Sequence, residues 1–276
     1  MTWQILLARL RVPLLLAALV LVFVGSSVGI PWPVRLAGFL AAYFVVVRAG
    51  TVKGEPTVLS PPVDGRWSAV NSPADKVPSH GIQVYGQSYA IDLIHEPLDR
   101  ERPGFAWWPL ARRAADFPGF GQPVHAPADG VVVKVHSRER DHWSRNSWPS
   151  LLFLVIEGTL RELTGPNRVI GNHVTIQLDD GRYTVLAHLQ RRSARVAVGD
   201  RVRAGDHVGD CGNSGNSSEP HLHLQVCDRR NVLIAAGLPM SFDRFEIDGT
   251  PHTGLPSKEQ PFELRVPTPV STPAQA

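Results

Sequence analysis

Polar side chains almost vanish from the first 50 positions. Residues 13–30 carry no charge and are mostly Leu, Ala and Val, and a second apolar stretch, 36–47, follows the break at Pro31-Trp32-Pro33. The first stretch is about the shortest that crosses a hydrocarbon core as a helix; the second is too short to cross unless Trp32 and Arg35 sit in the interface. Arg9 and Arg11 favour a cytoplasmic start, so a single crossing puts everything after it outside, whereas two crossings return the chain to its starting side. Removal as a signal peptide at the small residues 25–29 is the alternative.

Beyond a short polar linker the period changes from helical to two. Strands are expected at 65–70, 124–136, 172–178, 183–189, 201–208 and 221–226, with turns between them; Asp179-Asp180-Gly181 is the clearest hairpin signal. Residues 137–149 read as loop, and 151–163 fit helix or strand equally well. The chain therefore divides into N-terminal membrane segment(s) at 1–50, a linker at 51–60, an all-β domain at 61–248 and a Pro-rich tail without structure at 249–276.

Composition agrees: 24 Gly and 24 Pro in 276 residues suit short strands and many turns. The net charge of +3 comes from scattered basic residues, which excludes a nucleic-acid stripe and suits an anionic wall or membrane surface. With only Cys211 and Cys227, the chain can build neither a disulfide framework nor a thiolate metal site; the pair is either bridged or free. Any metal must be held by His and carboxylate.

His221-Leu222-His223 lies in an alternating apolar run, so both imidazoles share one strand face, ~7 Å apart. Alone, such a pair is near chance in a chain with 11 His. The Gly-rich stretch 209–220 just before it, His188 within Ala187-His188-Leu189, and Asp92 flanked by Ile91 and Leu93 make it more specific, because a carboxylate in an apolar strand is costly to bury unpaired. His95-Glu96-Pro97-Leu98-Asp99 starts like the His-Glu-x-x-His zinc helix but has Asp in fifth place and a Pro hostile to the helix.

Tyr89-Ala90-Ile91-Asp92, 121–132, Gly171-Asn172-His173-Val174, Ala187-His188-Leu189, Val198-Gly199-Asp200 and 212–223 together closely resemble the M23 family of zinc metallopeptidases, the lysostaphin-like and LytM-like peptidoglycan hydrolases. The resemblance implies a compact antiparallel β-sandwich with duplicated-hybrid-motif-like topology, one Zn2+ per chain held by Asp92 and His223, and His188 and His221 as catalytic residues. The family's usual His four positions before Asp92 is replaced by Ser88. His80 is the candidate third ligand, and His95 the weaker one, since three residues beyond Asp92 in a strand it faces the other way. Leu186 also stands where the family often has Tyr.

The function this implies is hydrolysis of peptide bonds in peptidoglycan stem peptides or cross-links by metal-activated water, in a membrane-anchored protein whose domain lies on the extracytoplasmic side. Its partners are then a peptidoglycan peptide and, through the N-terminus, membrane lipid. Ser88 motivates a second reading, an inactive M23-like domain that binds peptidoglycan or regulates another wall hydrolase. A carbohydrate-binding sandwich ranks last, with only Trp107-Trp108 as an adjacent aromatic pair.

Overall fold

The computed structural model describes residues 2–47, 49–258 and 260–267. The apolar N-terminus forms two helices, α1 (Trp3–Val24) and α2 (Trp32–Val47). They run antiparallel: small residues let the backbones close, so a Cβ on Gly38 would lie 2.7 Å from Leu21, and Ala17, Ala18, Ala41 and Ala42 line their shared groove. Among the described residues, α1 alone is long and apolar enough to cross a membrane.

α2 folds back along α1 and returns the chain to its start. There the Arg11 guanidinium donates to the carbonyls of Gln83, Ala49 and Gly50, and Arg9 pairs with Asp228 at 3.9 Å. The expected linker also differs. Val52 is buried with Ala8 and Ala236, and β1 (Thr57–Leu59) already pairs in the main sheet, so apolar burial fastens the segment to the domain.

After β1 come β2 (Gly65–Ala69), β3 (Ile91–His95), β4 (Pro123–His125) and β5 (Gly130–His136). Two helices follow, α3 (Trp148–Thr164) and α4 (Pro166–Ile170). The chain continues through β6 (Asn172–Leu178), β7 (Tyr183–Leu189), β8 (Arg201–Val202), β9 (His207–Asp210) and β10 (Leu222–Cys227). It closes with β11 (Met240–Ile247), β12 (Thr250–Gly254) and β13 (Phe262–Leu264).

The main sheet runs β1-β11-β13-β2-β3-β10-β7-β6-β5-β8, with β12 on β11, and is antiparallel apart from the β1–β11 pair; β4 and β9 form a separate ribbon. The sheet curls around one core in which Trp67, Ile91, Leu93, Val174, Ile176, Leu186, Leu222 and Leu224 meet. Each such side chain contributes about 2 kcal/mol by leaving water. The all-β expectation holds. The tail expectation does not hold over β12 and β13, where Phe262 and Leu264 enter the core as β13 pairs with β2; residues 268–276 lie outside the described residues.

α3 settles the segment that periodicity left open. Ser147 caps it, its Oγ accepting from the Ser150 amide, while the Ser150 hydroxyl accepts from the Ser147 amide and Pro149 lies in the first turn. Gly165, at φ 109°, ends it. Its polarity is reversed: Ser150 and Gly158 are buried and Glu157 pairs inward with Arg145 and Arg161, while Trp148, Leu152, Val155, Ile156, Leu160 and Leu163 are exposed.

In β6, His173 is buried with Nδ1 donating to the Gly171 carbonyl at 2.7 Å, and burial pushes its pKa down to about 3. Unfolding returns it toward 6.5, so its contribution is whole above that pH and fades by about 1 kcal/mol per pH unit below it, as the unfolded chain takes up the extra proton. Urea midpoints should show wild type losing its advantage over His173→Gln on acidification from about pH 7 to about pH 5.5. A gap that stays constant contradicts the assignment.

Candidate metal centre and catalytic cleft

β3 and β10 lie side by side with His223 opposite Asp92, and β7 flanks β10 so that His223 also faces Ala187. Alternation sends Leu222 and Leu224 into the core and leaves Asp92, His223 and Gln225 on the other face. The loop before β3 brings His80 to the same place. One ligand atom each from His80, Asp92 and His223 lies within 4.8 Å of the other two.

Asp92 is the hub of this group. His80 Nε2 stands 2.9 Å from its Oδ2 and His223 Nδ1 2.8 Å from its Oδ1, while Asn71 Nδ2 donates to Oδ2 at 2.8 Å. Burial alone pushes this carboxyl's pKa up; the His80 and His221 rings and the hydrogen bonds from His223 and His80 overcome it and hold the group well below the usual carboxylate range. His223 shows the counterpart: burial disfavours its charge, and Asp92 reverses that and raises its pKa.

The hydrogen-bond frame shows what the triad suits. Gln225 Nε2 donates to the Tyr85 carbonyl at 2.9 Å, so its Oε1 accepts from His223 Nε2–H, also at 2.9 Å. A neutral His223 then turns the Nδ1 lone pair toward Asp92 Oδ1, and two electron-rich atoms 2.8 Å apart need a cation between or beside them. Either a proton or a bound cation supplies that charge. Two imidazole nitrogens and a carboxylate oxygen are equally a donor set for a divalent metal with an open coordination place.

His188 and His221 stand beside the triad, their rings 4.8 Å apart, and His221 Nε2 is 3.7 Å from Asp92 Oδ1. His188 Nδ1 donates to the Ser214 carbonyl at 2.8 Å and His221 Nδ1 to the Glu219 carbonyl at 2.8 Å. Both rings are thereby fixed as the tautomer with a free Nε2 lone pair. Burial, then the neighbouring His221 and His223, hold the His188 pKa well below its ordinary value, which keeps that ring neutral.

Strict alternation would put His188 on the core face with Leu186. A bulge prevents this: Leu189 pairs with Asn172 and Ala187 with the next residue, His173, so His188 is the extra residue, at φ 59°. That backbone costs about 1–3 kcal/mol. It is held by the Gly212 amide on the His188 carbonyl and by Ser214 on the ring. Ser214 is in turn clasped by Gly171, at φ 71°, where a Cβ would come within 2.5 Å of the Ser214 carbonyl.

Of the candidate ligands, His80 faces Asp92 whereas His95 stacks on Trp67 at 4.7 Å with Nδ1 on the Pro118 carbonyl. The Ser88 hydroxyl donates to Gln83 Oε1, away from the triad. Four contributors escaped the sequence reading. Gln225 was within reach, two positions after His223 on one strand face; Asn71, Ser214 and Arg102 were not. Arg102, in the loop after β3, grips both Glu219 carboxylate oxygens at 2.7 and 3.0 Å and so fixes the residue whose carbonyl orients His221.

His80, Asp92, His188, His221 and His223 line a cleft of about 310 Å3 together with Ile82, Tyr85 and, from α3, Leu154 and Glu162. Cys211 and Cys227 lie elsewhere as free, buried thiols, the latter with its pKa pushed up to about 12 by burial.

The model of peptidase family M23 matches residues 155–233, the segment holding His188, His221 and His223. Over that segment, under a third of the chain, it is similar to peptidase family M23. Among its relatives, the peptidoglycan DD-endopeptidase ShyC of Vibrio cholerae is 24% identical over 198 residues, covering 68% of this chain and 39% of that protein. Endolysin 2638A of Staphylococcus phage 2638A is 39% identical over 75 residues, 26% of this chain and 15% of its own length. The chain thus spans well under half of these curated relatives. The catalytic domain of lysostaphin from Staphylococcus simulans aligns over 68% of this chain and 88% of its own, at 18% identity and a TM-score of 0.33. The M23 match begins after His80 and Asp92, which tertiary structure alone brings to the histidines.

Replacing Gln225 by Leu removes the acceptor that orients His223 and should weaken divalent-metal affinity about 10- to 100-fold without unfolding the domain. Chelator competition on the purified chain measures this, and unchanged affinity rules out the orienting role.

Proposed function

We propose that the chain is a membrane-anchored, zinc-dependent endopeptidase that hydrolyses peptide bonds in peptidoglycan stem peptides or cross-links. The observation that carries this reading is the juxtaposition of the His80, Asp92 and His223 ligand atoms with two histidines that turn free Nε2 atoms toward the same cleft. The M23 match and the peptidoglycan DD-endopeptidase named among the relatives support it.

In this reading His80 Nε2, an Asp92 oxygen and His223 Nδ1 hold the zinc, which supplies Lewis acidity toward water and toward the scissile carbonyl. Asn71 and Gln225 keep the ligands oriented. His188 and His221, each with Nδ1 on a backbone carbonyl and Nε2 left free, take the proton of the attacking water and return it to the leaving amine, while the Ser214 and Glu219 carbonyls steady each imidazolium as it forms. α3 contributes Leu154 and Glu162 to the lining of the cleft in which the peptide would lie.

A wall substrate places the domain on the extracytoplasmic side, and the α1–α2 hairpin then puts the N-terminus on that side too. An epitope tag before Trp3 and the domain should therefore be digested together by protease added to intact spheroplasts. Protection of the domain would falsify the wall-hydrolase assignment.

Purified chain should hold zinc in stoichiometric amount and His80→Ala should lose it. His188→Ala should keep the metal yet release fragments from purified peptidoglycan about 10²- to 10⁴-fold more slowly. A wild-type chain that binds peptidoglycan but retains no zinc would instead support the non-catalytic reading that Ser88 suggested.

A further inference from the structure

α3 is amphipathic the wrong way round for a helix in water. Its inward face carries Ser150, Gly158 and the Glu157 pairs with Arg145 and Arg161, and its outward face carries Leu152 at 67%, Val155 at 67% and Leu163 at 81% exposure. The apolar surface continues past the N-terminus of the helix. Phe105 packs on Trp148 at 4.8 Å and Trp107 lies 6.3 Å from it, with Trp107 and Trp108 themselves 71% and 75% exposed. Such a contiguous patch, with a tryptophan cluster at one end, has the composition of an interfacial membrane segment.

The hairpin says what covers it. A span needs about 30 Å of helix, and residues 12–24 of α1, beyond Arg11, supply only about 20 Å. The turns that pack on the domain, around Ala8 and Arg11, must therefore lie at or within the bilayer boundary, and the domain goes there with them. Arg11 binds the Gln83 carbonyl, in the loop whose Ile82 and Tyr85 line the cleft together with Leu154 and Glu162 of α3. The hairpin thus holds the loop that borders the same cleft as α3.

The geometry points to α3, together with Trp107 and Trp108, as a second membrane contact: a helix that lies in the lipid headgroup and acyl boundary with its apolar face down, so that the catalytic cleft opens at the bilayer surface. This rests on the hairpin being a membrane anchor, but not on the domain being a hydrolase. Lipid also accounts for the polar inward face, since residues facing the protein keep their ion pairs there while the outward face needs no water.

The test uses the full chain in vesicles of phosphatidylcholine and phosphatidylglycerol that contain nitroxide-labelled lipid. Ile156→Cys, Leu16→Cys and Thr253→Cys are made singly and labelled with an environment-sensitive fluorophore; Cys211 and Cys227 are fully buried and leave the introduced thiol as the reactive one. The expected result is a blue-shifted emission at 156 and 16, quenched by the nitroxide lipid severalfold more than at 253, which stays in water. Quenching at 16 with none at 156 overturns the inference and leaves the anchor standing. Loss of quenching at both overturns the two together. Protection at 156 from an aqueous quencher, without lipid quenching and with a 156-to-156 cross-link between chains, shows that a second copy covers the face and also overturns it.

Discussion

A carboxylate in a buried strand is the constraint around which the domain is arranged. Asp92 stands between Ile91 and Leu93 at the middle of the main sheet, where an unpaired charge would cost several kcal/mol and the group would simply take up a proton. His80, His223 and Asn71 each give it a partner, and two of those partners are ligand-type nitrogens. The cation the carboxylate demands is what makes the place a candidate metal centre. The sheet order follows the same need, because β3 must pair with β10 for His223 to stand opposite Asp92.

Around that hub, backbone carbonyls carry out the positioning that carboxylates perform in many histidine sites. Ser214 and Glu219 select the same tautomer in His188 and His221, and Gln225 selects the complementary one in His223. Neutral acceptors orient an imidazole without drawing it toward the charged form, which suits the proton-transfer role proposed for these rings. The cost is carried by the backbone, in the left-handed conformation of His188 and the glycines that let the 212–220 loop press against the sheet.

The helical parts answer a different solvent. The α1–α2 groove is closed by Ala and Gly, while the hairpin's large apolar side chains and those of α3 point away from the protein. In water this arrangement is unfavourable; beside lipid it is the ordinary one.

Local pattern was enough for β2, β5, β6, β7 and β10 and for the apolar helices, whereas the expected strands at 124–136 and 201–208 each divide in two and join different sheets. The candidacy of Asp92, His188, His221 and His223 came from the motifs that resemble the family. His80 was named as the replacement for the missing histidine at Ser88, and the structure sets its ring against Asp92. The bulge that turns His188 out of the core, the grip of Arg102 on Glu219, the role of Asn71, and the return of β12 and β13 to the sheet were decided only in three dimensions. So was the state of α3, whose caps are short but whose outward face could be recognised only once its inward face was known. The difference is physical: alternation and burial cost are properties of neighbouring residues, whereas a register shift or a hydrogen bond across 117 positions depends on which strands and loops the collapsed chain brings together.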